Sequence, residues 1–140
     1  RYLLGLIILV LCISCSNRSE EKAFVESLSK MESEKEFSLD SLITSNTWDS
    51  VYVLAPYTNT DPLDIDGLSN RLKSEIGGEL RTEANCGLIF VSNNSLVSYV
   101  ILPRRIADFC LLDSIKYPIH PRYKLCDKRI VIPIRSQRTI

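Results

Sequence analysis

The stretch "GLIFVSNNSLVSYVILP", residues 87–103, indicates the fold more clearly than any other part of the chain. Two apolar runs, 87–91 and 96–102, flank the polar segment 92–95, and Pro103 ends the second run. Apolar and β-branched runs separated by a short segment of Ser and Asn are typical of a β-hairpin. The stretch therefore predicts two adjacent antiparallel strands.

Three segments outside the hairpin also have strand character. The sequence "WDSVYVL", residues 48–54, is rich in aromatic and β-branched residues and ends just before Pro56. Residues 107–112 and 128–134 are further strand candidates, and a proline-broken loop over 117–121 separates them.

Helical spacing of apolar residues occurs in three places. The first predicted helix, 20–35, follows Ser19 as its cap, and a second, short helix follows Ser38. A third begins with Asp66 as its N-cap and is closed by the glycines at 77–78. The apolar faces are formed by Phe24, Leu28 and Met31 in the first, by Leu39, Leu42 and Ile43 in the second, and by Leu68, Leu72 and Ile76 in the third.

This order of elements predicts an α+β fold, with a mainly antiparallel sheet of four to five strands and one or two helices packed on it. The length of 140 residues allows one domain with a modest core. The formal net charge is zero, which gives no reason to predict nucleic-acid binding.

The charges are distributed unevenly along the chain. Residues 20–50 carry a net charge of −5, and residues 104–140 carry a net charge of +6. We interpret this as a mixed surface in which the basic C-terminal third pairs partly with the acidic N-terminal segment. The alternative is that the basic third meets anionic lipid or an acidic partner.

The first residues have the order of an export signal. Arg1 precedes the uncharged run 2–13, which as a helix would rise only about 18 Å, less than the ~30 Å of a bilayer core. The run ends in "CISC", which resembles the lipobox of bacterial lipoproteins, with Ser14 as the small residue before Cys15. The resemblance implies that Cys15 receives a diacylglycerol and an N-acyl chain and that residues 1–14 are removed.

This interpretation divides the chain into a signal peptide (1–14), a lipidated tether with an amphipathic helix (15–45), a single α+β domain (46–135) and a basic tail (136–140). By the same resemblance, Ser16 implies the outer rather than the inner membrane. Two or three acyl chains hold a protein firmly on a membrane. We therefore expect a protein of the cell envelope that contacts the membrane through its anchor, with no cofactor beyond the lipid on its cysteine.

Three cysteines remain after the anchor. Cys86, Cys110 and Cys126 allow at most one internal disulfide, and an envelope location permits its formation. Cys86 and Cys110 lie near strand candidates, and we consider them the candidate disulfide pair. The alternative is that all three are buried and act as small hydrophobic residues. Their spacing predicts neither a zinc site nor a redox motif.

The sequence does not favour an enzyme. His120 is the only histidine, it lies between prolines in the predicted loop, and no nucleophile or nucleotide-binding motif is present. An enzyme would have to use His120, Cys110 or Cys126. The acidic run 61–66 lacks the spacing of a calcium loop, so we predict capping and turn roles for its carboxylates and no metal site.

The segment "WDSVYVLAPYT", residues 48–58, resembles a motif of small, uncharacterised bacterial lipoproteins, in which a W-D-x-V-Y strand leads into a P-Y-T turn. The Pro-Arg pair at 103–104 and the Asp-Phe pair at 108–109 fit the later part of that pattern. The resemblance covers about residues 46–131. It implies an α+β lipoprotein domain and no particular reaction.

Five residues in this region are candidates for a binding surface. Trp48, Tyr52 and Tyr57 would supply aromatic rings, and Arg104 and Asp108 would supply charge. The alternative for the rings is packing in the strand core and turn. The alternative for Asp108 is an ion pair with one of the two preceding arginines.

The sequence thus predicts a lipid-anchored envelope protein with a non-enzymatic binding or structural role and a protein partner in the envelope. The alternative function is that of a periplasmic or surface inhibitor, or immunity lipoprotein, that blocks an enzyme or toxin.

Overall fold

The computed structural model describes residues 20–43, 48–112, 116–117 and 122–134. The predicted signal peptide, Cys15, Ser19, His120 and the tail 136–140 lie outside these residues. The described part is α+β. Its elements, in chain order, are α1 (20–29), β1 (Glu36–Ser38), β2 (Ser50–Leu54), α2 (Asn70–Glu79), β3 (Asn85–Ser92), β4 (Ser95–Pro103), β5 (Lys116–Tyr117), β6 (Arg122–Leu125) and β7 (Val131–Pro133).

The predicted hairpin is confirmed as β3 and β4, which pair antiparallel. Asn93 and Asn94 form the two-residue turn with φ of 47° and 62°, the left-handed conformation that a tight hairpin turn needs. The Asp49 carboxylate accepts a hydrogen bond of 2.6 Å from the backbone N–H of Asn93. A register shift between Phe90 and Val91 marks a bulge near the turn.

The strands form two antiparallel sheets where the sequence predicted one. The first sheet has four strands in the order β4-β3-β2-β5, and the second has three in the order β1-β6-β7. The second sheet exists because Glu36–Ser38, placed by the sequence in the tether, pairs with Arg122–Leu125 across a long sequence separation. The predicted strand over 107–112 is wrong, since Cys110–Leu112 forms a 3-10 turn.

The four-stranded sheet is apolar on both faces. The large core covers one face and includes Leu88 and Phe90 of β3, with side chains from α1 and the three-stranded sheet packed against them. The small core covers the other face and includes Ile89 and Val91 of β3 with Ile76 of α2. Alternate residues of β3 therefore enter different cores, as the two-residue period of a strand requires.

The first helix belongs to the folded domain and not to a tether. Phe24 and Leu28 are fully buried in the large core, and the rings of Phe24 and Phe90 meet edge to face at 6.3 Å. The helix ends at residue 29, earlier than the predicted 35, and Glu34 adopts a positive φ of 70° while its N–H donates to the carbonyl of Leu125. Residues 20–43 and the described residues from 48 onward thus share one core, where the sequence predicted a boundary near residue 45.

Arg129 attaches the end of α1 to the rest of the fold. Its guanidinium donates hydrogen bonds to the backbone carbonyls of Leu28 and Met31, and to that of Ile106 at 2.7 Å. Carbonyls in the last turn of a helix have no partner within the helix, and Arg129 supplies one.

Helix α2, the third helix predicted from the sequence, begins and ends at other residues than predicted. Ser69 is the N-cap, because its hydroxyl accepts from the N–H of Leu72, while the backbone of Asp66 is bridged to Ser95 at the hairpin. The helix continues through the glycines at 77–78 to Glu79. Gly77 allows the loop at Thr60 to approach closely, since an added Cβ would lie 3.1 Å from the Thr60 hydroxyl oxygen.

The predicted pairing of the acidic and basic segments is present among the described residues. Arg122 lies 3.2 Å from the carboxylate of Glu36, and Lys124 lies 2.5 Å from that of Glu34. Both acids belong to the acidic segment and both bases to the basic C-terminal third.

Candidate functional site

The structure brings together four of the residues that the sequence singled out. Cys86 lies on β3 and is fully buried, and Cys110 is half-buried in the turn that follows β4. Arg104 and Asp108 lie in the same turn. We call Cys86, Arg104, Asp108 and Cys110 the thiol site.

Hydrogen bonds to Asp108 shape this turn. Nε and Nη2 of Arg104 donate to one carboxylate oxygen of Asp108, at 3.2 and 3.0 Å, which confirms the ion pair considered from the sequence. The other carboxylate oxygen accepts the backbone N–H of Cys110 at 2.9 Å. A side chain that binds a nearby backbone N–H competes with strand pairing, which explains why a 3-10 turn replaces the predicted strand.

The same turn is fixed to the rest of the fold by backbone hydrogen bonds. The N–H of Asp108 donates to the carbonyl of Arg129 at 2.7 Å, and its carbonyl accepts from the N–H of Val131 at 2.8 Å. The N–H of Arg104 donates to the carbonyl of Ala84 and so extends the pairing of β3 with β4. Backbone hydrogen bonds to Ala84 on one side and to Arg129 and Val131 on the other therefore fix the turn that carries the thiol site.

The two thiols influence each other's pKa, and the Cys86 thiol also donates to the backbone carbonyl of Ala107 at 4.0 Å. The hydrogen bond from Cys110 lowers the pKa of Cys86 below its usual value, although burial opposes this shift. The pKa of Cys110 is raised by its bond to Cys86, by burial and by the nearby Asp108 carboxylate. Burial also raises the pKa of Asp108, but the bonds from Arg104 and Cys110 outweigh it, and the net shift is downward.

The mutual effect of the two thiols on their pKa values is consistent with the predicted disulfide between them. The described cysteines are free in the structure, so the Cys86–Cys110 disulfide stays a prediction. A redox catalyst must expose its attacking sulfur to the substrate. Cys86 is fully buried and Cys110 is partly exposed, so of the two thiols Cys110 is the one that a second molecule could reach.

The structure does not bring the three candidate aromatic rings onto one surface. Trp48 is buried in the large core, with its ring 5.1 Å from that of Phe90. Tyr52 packs against the small core on the opposite face of the sheet. Tyr57 is 65% exposed in a turn where its φ is 62°.

A second candidate site lies along β4, an edge strand of the four-stranded sheet. Two adjoining hollows, of about 930 and about 510 Å³, meet there between α1 and α2. Tyr99, Ile101 and Pro103 form a half-buried floor that both hollows share. We call this feature the β4 groove; its walls include Val25 and Glu26 of α1 and Glu75 and Glu79 of α2.

The β4 groove is not among the sites predicted from the sequence, although β4 carries one signal of it. The run "YVIL", residues 99–102, is apolar at consecutive positions, which is typical of a strand covered on both faces. The structure buries Val100 and Leu102 completely but leaves Tyr99 and Ile101 only partly covered. The incomplete cover depends on where two helices lie, and local sequence does not show that.

Two further findings concern the described residues alone. No three His, Cys, Asp or Glu side chains among residues 20–43, 48–112, 116–117 and 122–134 are grouped so that they could hold a metal ion. Within the same residues, neither helix has the length and apolar character needed to cross a membrane.

Comparison with known proteins finds no match to a protein family, to a curated protein or to a solved structure. The thiol site and the β4 groove are therefore the features that bear on function.

Proposed function

We propose that the chain is a lipid-anchored protein of the cell envelope, attached through Cys15 to the outer membrane, with a non-enzymatic role in binding another protein. The lipobox at residues 12–15 supports the anchor, and the β4 groove carries the binding role. It combines a half-buried apolar floor at Tyr99, Ile101 and Pro103 with polar walls on two helices. Apolar surface surrounded by polar residues is typical of interaction sites.

The chemistry of the groove favours binding over catalysis. Its lining contains carboxylates, one lysine and one serine, and neither of the thiols of the thiol site. Nucleophilic catalysis requires a nucleophile beside a base that is itself oriented by a third group. The Ser29 hydroxyl instead donates to the backbone carbonyl of Glu26 at 2.8 Å. An extended, open groove suits a segment of polypeptide.

Site-specific crosslinking in cells tests the binding role. A photoreactive amino acid replaces Glu79 in the groove wall of the full chain, and a matched variant carries it at Ile132, which is 37% exposed on the other sheet. We expect a discrete protein adduct from position 79 and none from position 132. Equal labelling from both positions, or from neither, would contradict a partner site in the groove.

The identity of the adduct separates the two functions that the sequence left open. An envelope-assembly or structural protein supports the proposed role. An enzyme or toxin whose activity falls when this chain is added supports an inhibitor or immunity lipoprotein instead.

The anchor has its own test. Changing Cys15→Ala should release the protein from membranes and abolish incorporation of labelled palmitate, while Cys126→Ser serves as the matched control. Labelling that persists in the Cys15→Ala variant would overturn the anchor at this cysteine.

A further inference from the structure

The hydrogen-bond register of β4 determines which backbone groups face the groove. The N–H of Arg104 donates to the carbonyl of Ala84, so residues 84 and 104 form a hydrogen-bonded pair. Such pairs alternate along an antiparallel ladder, which makes Leu102 with Cys86 and Val100 with Leu88 the next ones. The backbone N–H and carbonyl of Ile101 therefore point away from β3, toward the open edge of the sheet.

The groove surrounds this edge with negative charge. Four carboxylates line it, from Glu21, Glu26, Glu75 and Glu79, against the single base Lys22. The whole chain, in contrast, has equal numbers of acidic and basic residues. The groove is thus a local concentration of negative charge on a neutral protein.

Two of these carboxylates have basic partners on their own helices. Glu26 lies 2.7 Å from Lys30, and Glu75 lies 3.2 Å from Arg71, in pairs whose side chains are more than half exposed. Exposed pairs of this kind contribute little, so a cation that enters the groove can replace them. The same bond to Lys30 lowers the pKa of Glu26, which keeps that carboxylate ionised at neutral pH.

We propose that an extended, cationic segment of a partner protein adds to β4 as a further strand, between α1 and α2. The backbone of the segment pairs with outward-facing groups such as those of Ile101. Its side chains alternate between the two walls, so that every second residue, a lysine or arginine, meets Glu75 and Glu79. This inference rests on the proposed binding role and specifies the partner's chemistry. Strand addition at a sheet edge obtains affinity from the backbone and specificity from alternate side chains.

A second copy of the chain fits the groove poorly. Joining two β4 edges would bring the carboxylates of one groove against those of the other, and like charges across an interface oppose association. The negative walls therefore select against the protein itself and in favour of a basic partner.

The test measures binding of a ten-residue labelled peptide of alternating lysine and valine to the full chain, purified in detergent. We expect the peptide to bind and the affinity to fall at least tenfold in the double variant Glu75→Gln and Glu79→Gln. The matched control, Asp61→Asn with Asp64→Asn, removes the same charge from an exposed loop and should leave the affinity unchanged. An alternating glutamate and valine peptide should not bind.

Backbone pairing is tested on the peptide, which avoids any change to the fold. Methylating every second backbone nitrogen removes donors from one edge of the strand, and the two methylation patterns remove opposite edges. We expect one pattern to lower the affinity at least tenfold and the other to retain it. Equal affinity for both patterns would overturn strand addition.

The outcomes also distinguish this inference from the proposed function. A crosslink at position 79 without binding of the lysine peptide, or with equal binding of the glutamate peptide, overturns the cationic partner and leaves the binding role standing. A stable dimer in sedimentation that the lysine peptide does not dissociate would make a second copy the occupant and overturn the inference.

Discussion

The two faces of the four-stranded sheet are covered in different ways. On one face, α1 and the three-stranded sheet close over the large core, where Phe37, Phe109 and Tyr123 are all buried and their rings lie 5.8 to 6.5 Å apart. On the other face, α2 and its preceding loop cover the small core and leave Tyr99 and Ile101 partly exposed.

Under the proposed function, this difference assigns stability to one face of the sheet and binding to the other. A fully closed, aromatic core stabilises the fold, because buried area and tight packing provide most of the favourable free energy. An incompletely covered face retains apolar surface that a partner can bury. We therefore expect changes in the large core to affect stability most, and changes around the β4 groove to affect binding most.

The largest expected effect comes from Phe109→Ala. This ring is fully buried between Phe37 and Tyr123, and its removal should lower the free energy of unfolding by about 3–5 kcal/mol in urea titrations of the full chain. The matched change on the other face is Leu72→Ala at a partly buried position. It should lower the free energy of unfolding by about 1 kcal/mol. Equal losses in the two variants would show that both faces contribute alike to stability.

The next effect concerns Cys86 and Cys110. We expect these thiols to form a disulfide in the exported protein, losing two protons and passing two electrons to a disulfide donor of the envelope by thiol–disulfide exchange. Closing the loop between residues 86 and 110 should raise the free energy of unfolding by about 3 kcal/mol relative to the reduced protein. The measurement is urea unfolding with and without a reductant.

The matched controls for the disulfide are single Cys→Ser variants. Without reductant, Cys86→Ser and Cys110→Ser should both lose the added stability, whereas Cys126→Ser should keep it. Intact mass under non-reducing conditions gives an independent measurement. A mass that matches three free thiols in protein taken from the envelope would contradict the bridge.

A smaller effect is expected from Arg129→Ala, which detaches the end of α1. The side chain donates to three backbone carbonyls, and we expect a loss of about 2 kcal/mol together with faster amide exchange in 20–29. Arg122→Ala, which removes only an exposed pair with Glu36, should cost less than about 1 kcal/mol. If α1 exchanged no faster in Arg129→Ala than in Arg122→Ala, the proposed attachment would be wrong.

The parts of the fold that the sequence predicted correctly depend on neighbouring residues. The hairpin follows from the Asn93-Asn94 turn between two apolar runs, and the apolar stripe of α1 follows from helical spacing, so short windows contain the information. The Arg104–Asp108 ion pair could likewise be predicted from the sequence, because the two residues are only four positions apart.

The parts that the sequence did not predict depend on distant residues. Glu36–Ser38 becomes a strand because Arg122–Leu125 lies beside it, and Arg129 binds the Leu28 carbonyl of α1 about 100 positions away. The β4 groove depends on the separation of two helices that are distant in sequence. Local propensity carries no information about such contacts, and tertiary context decides them.

The smallest expected effect is the change in stability with pH that the carboxylate of Asp108 causes. Asp108 lies beside the large core. Its pKa in the folded protein is below the ordinary value of 3.8, so the carboxylate stabilises the fold fully above about pH 5 and loses that contribution as the pH falls below 3.8. Asp108→Asn should therefore lower stability near pH 7 and bring the variant closer to the unchanged protein near pH 3. Urea midpoints across this range provide the measurement, with Asp61→Asn as the exposed control. A constant difference between Asp108→Asn and the unchanged protein at every pH would show that the turn needs the shape of this side chain and not its charge.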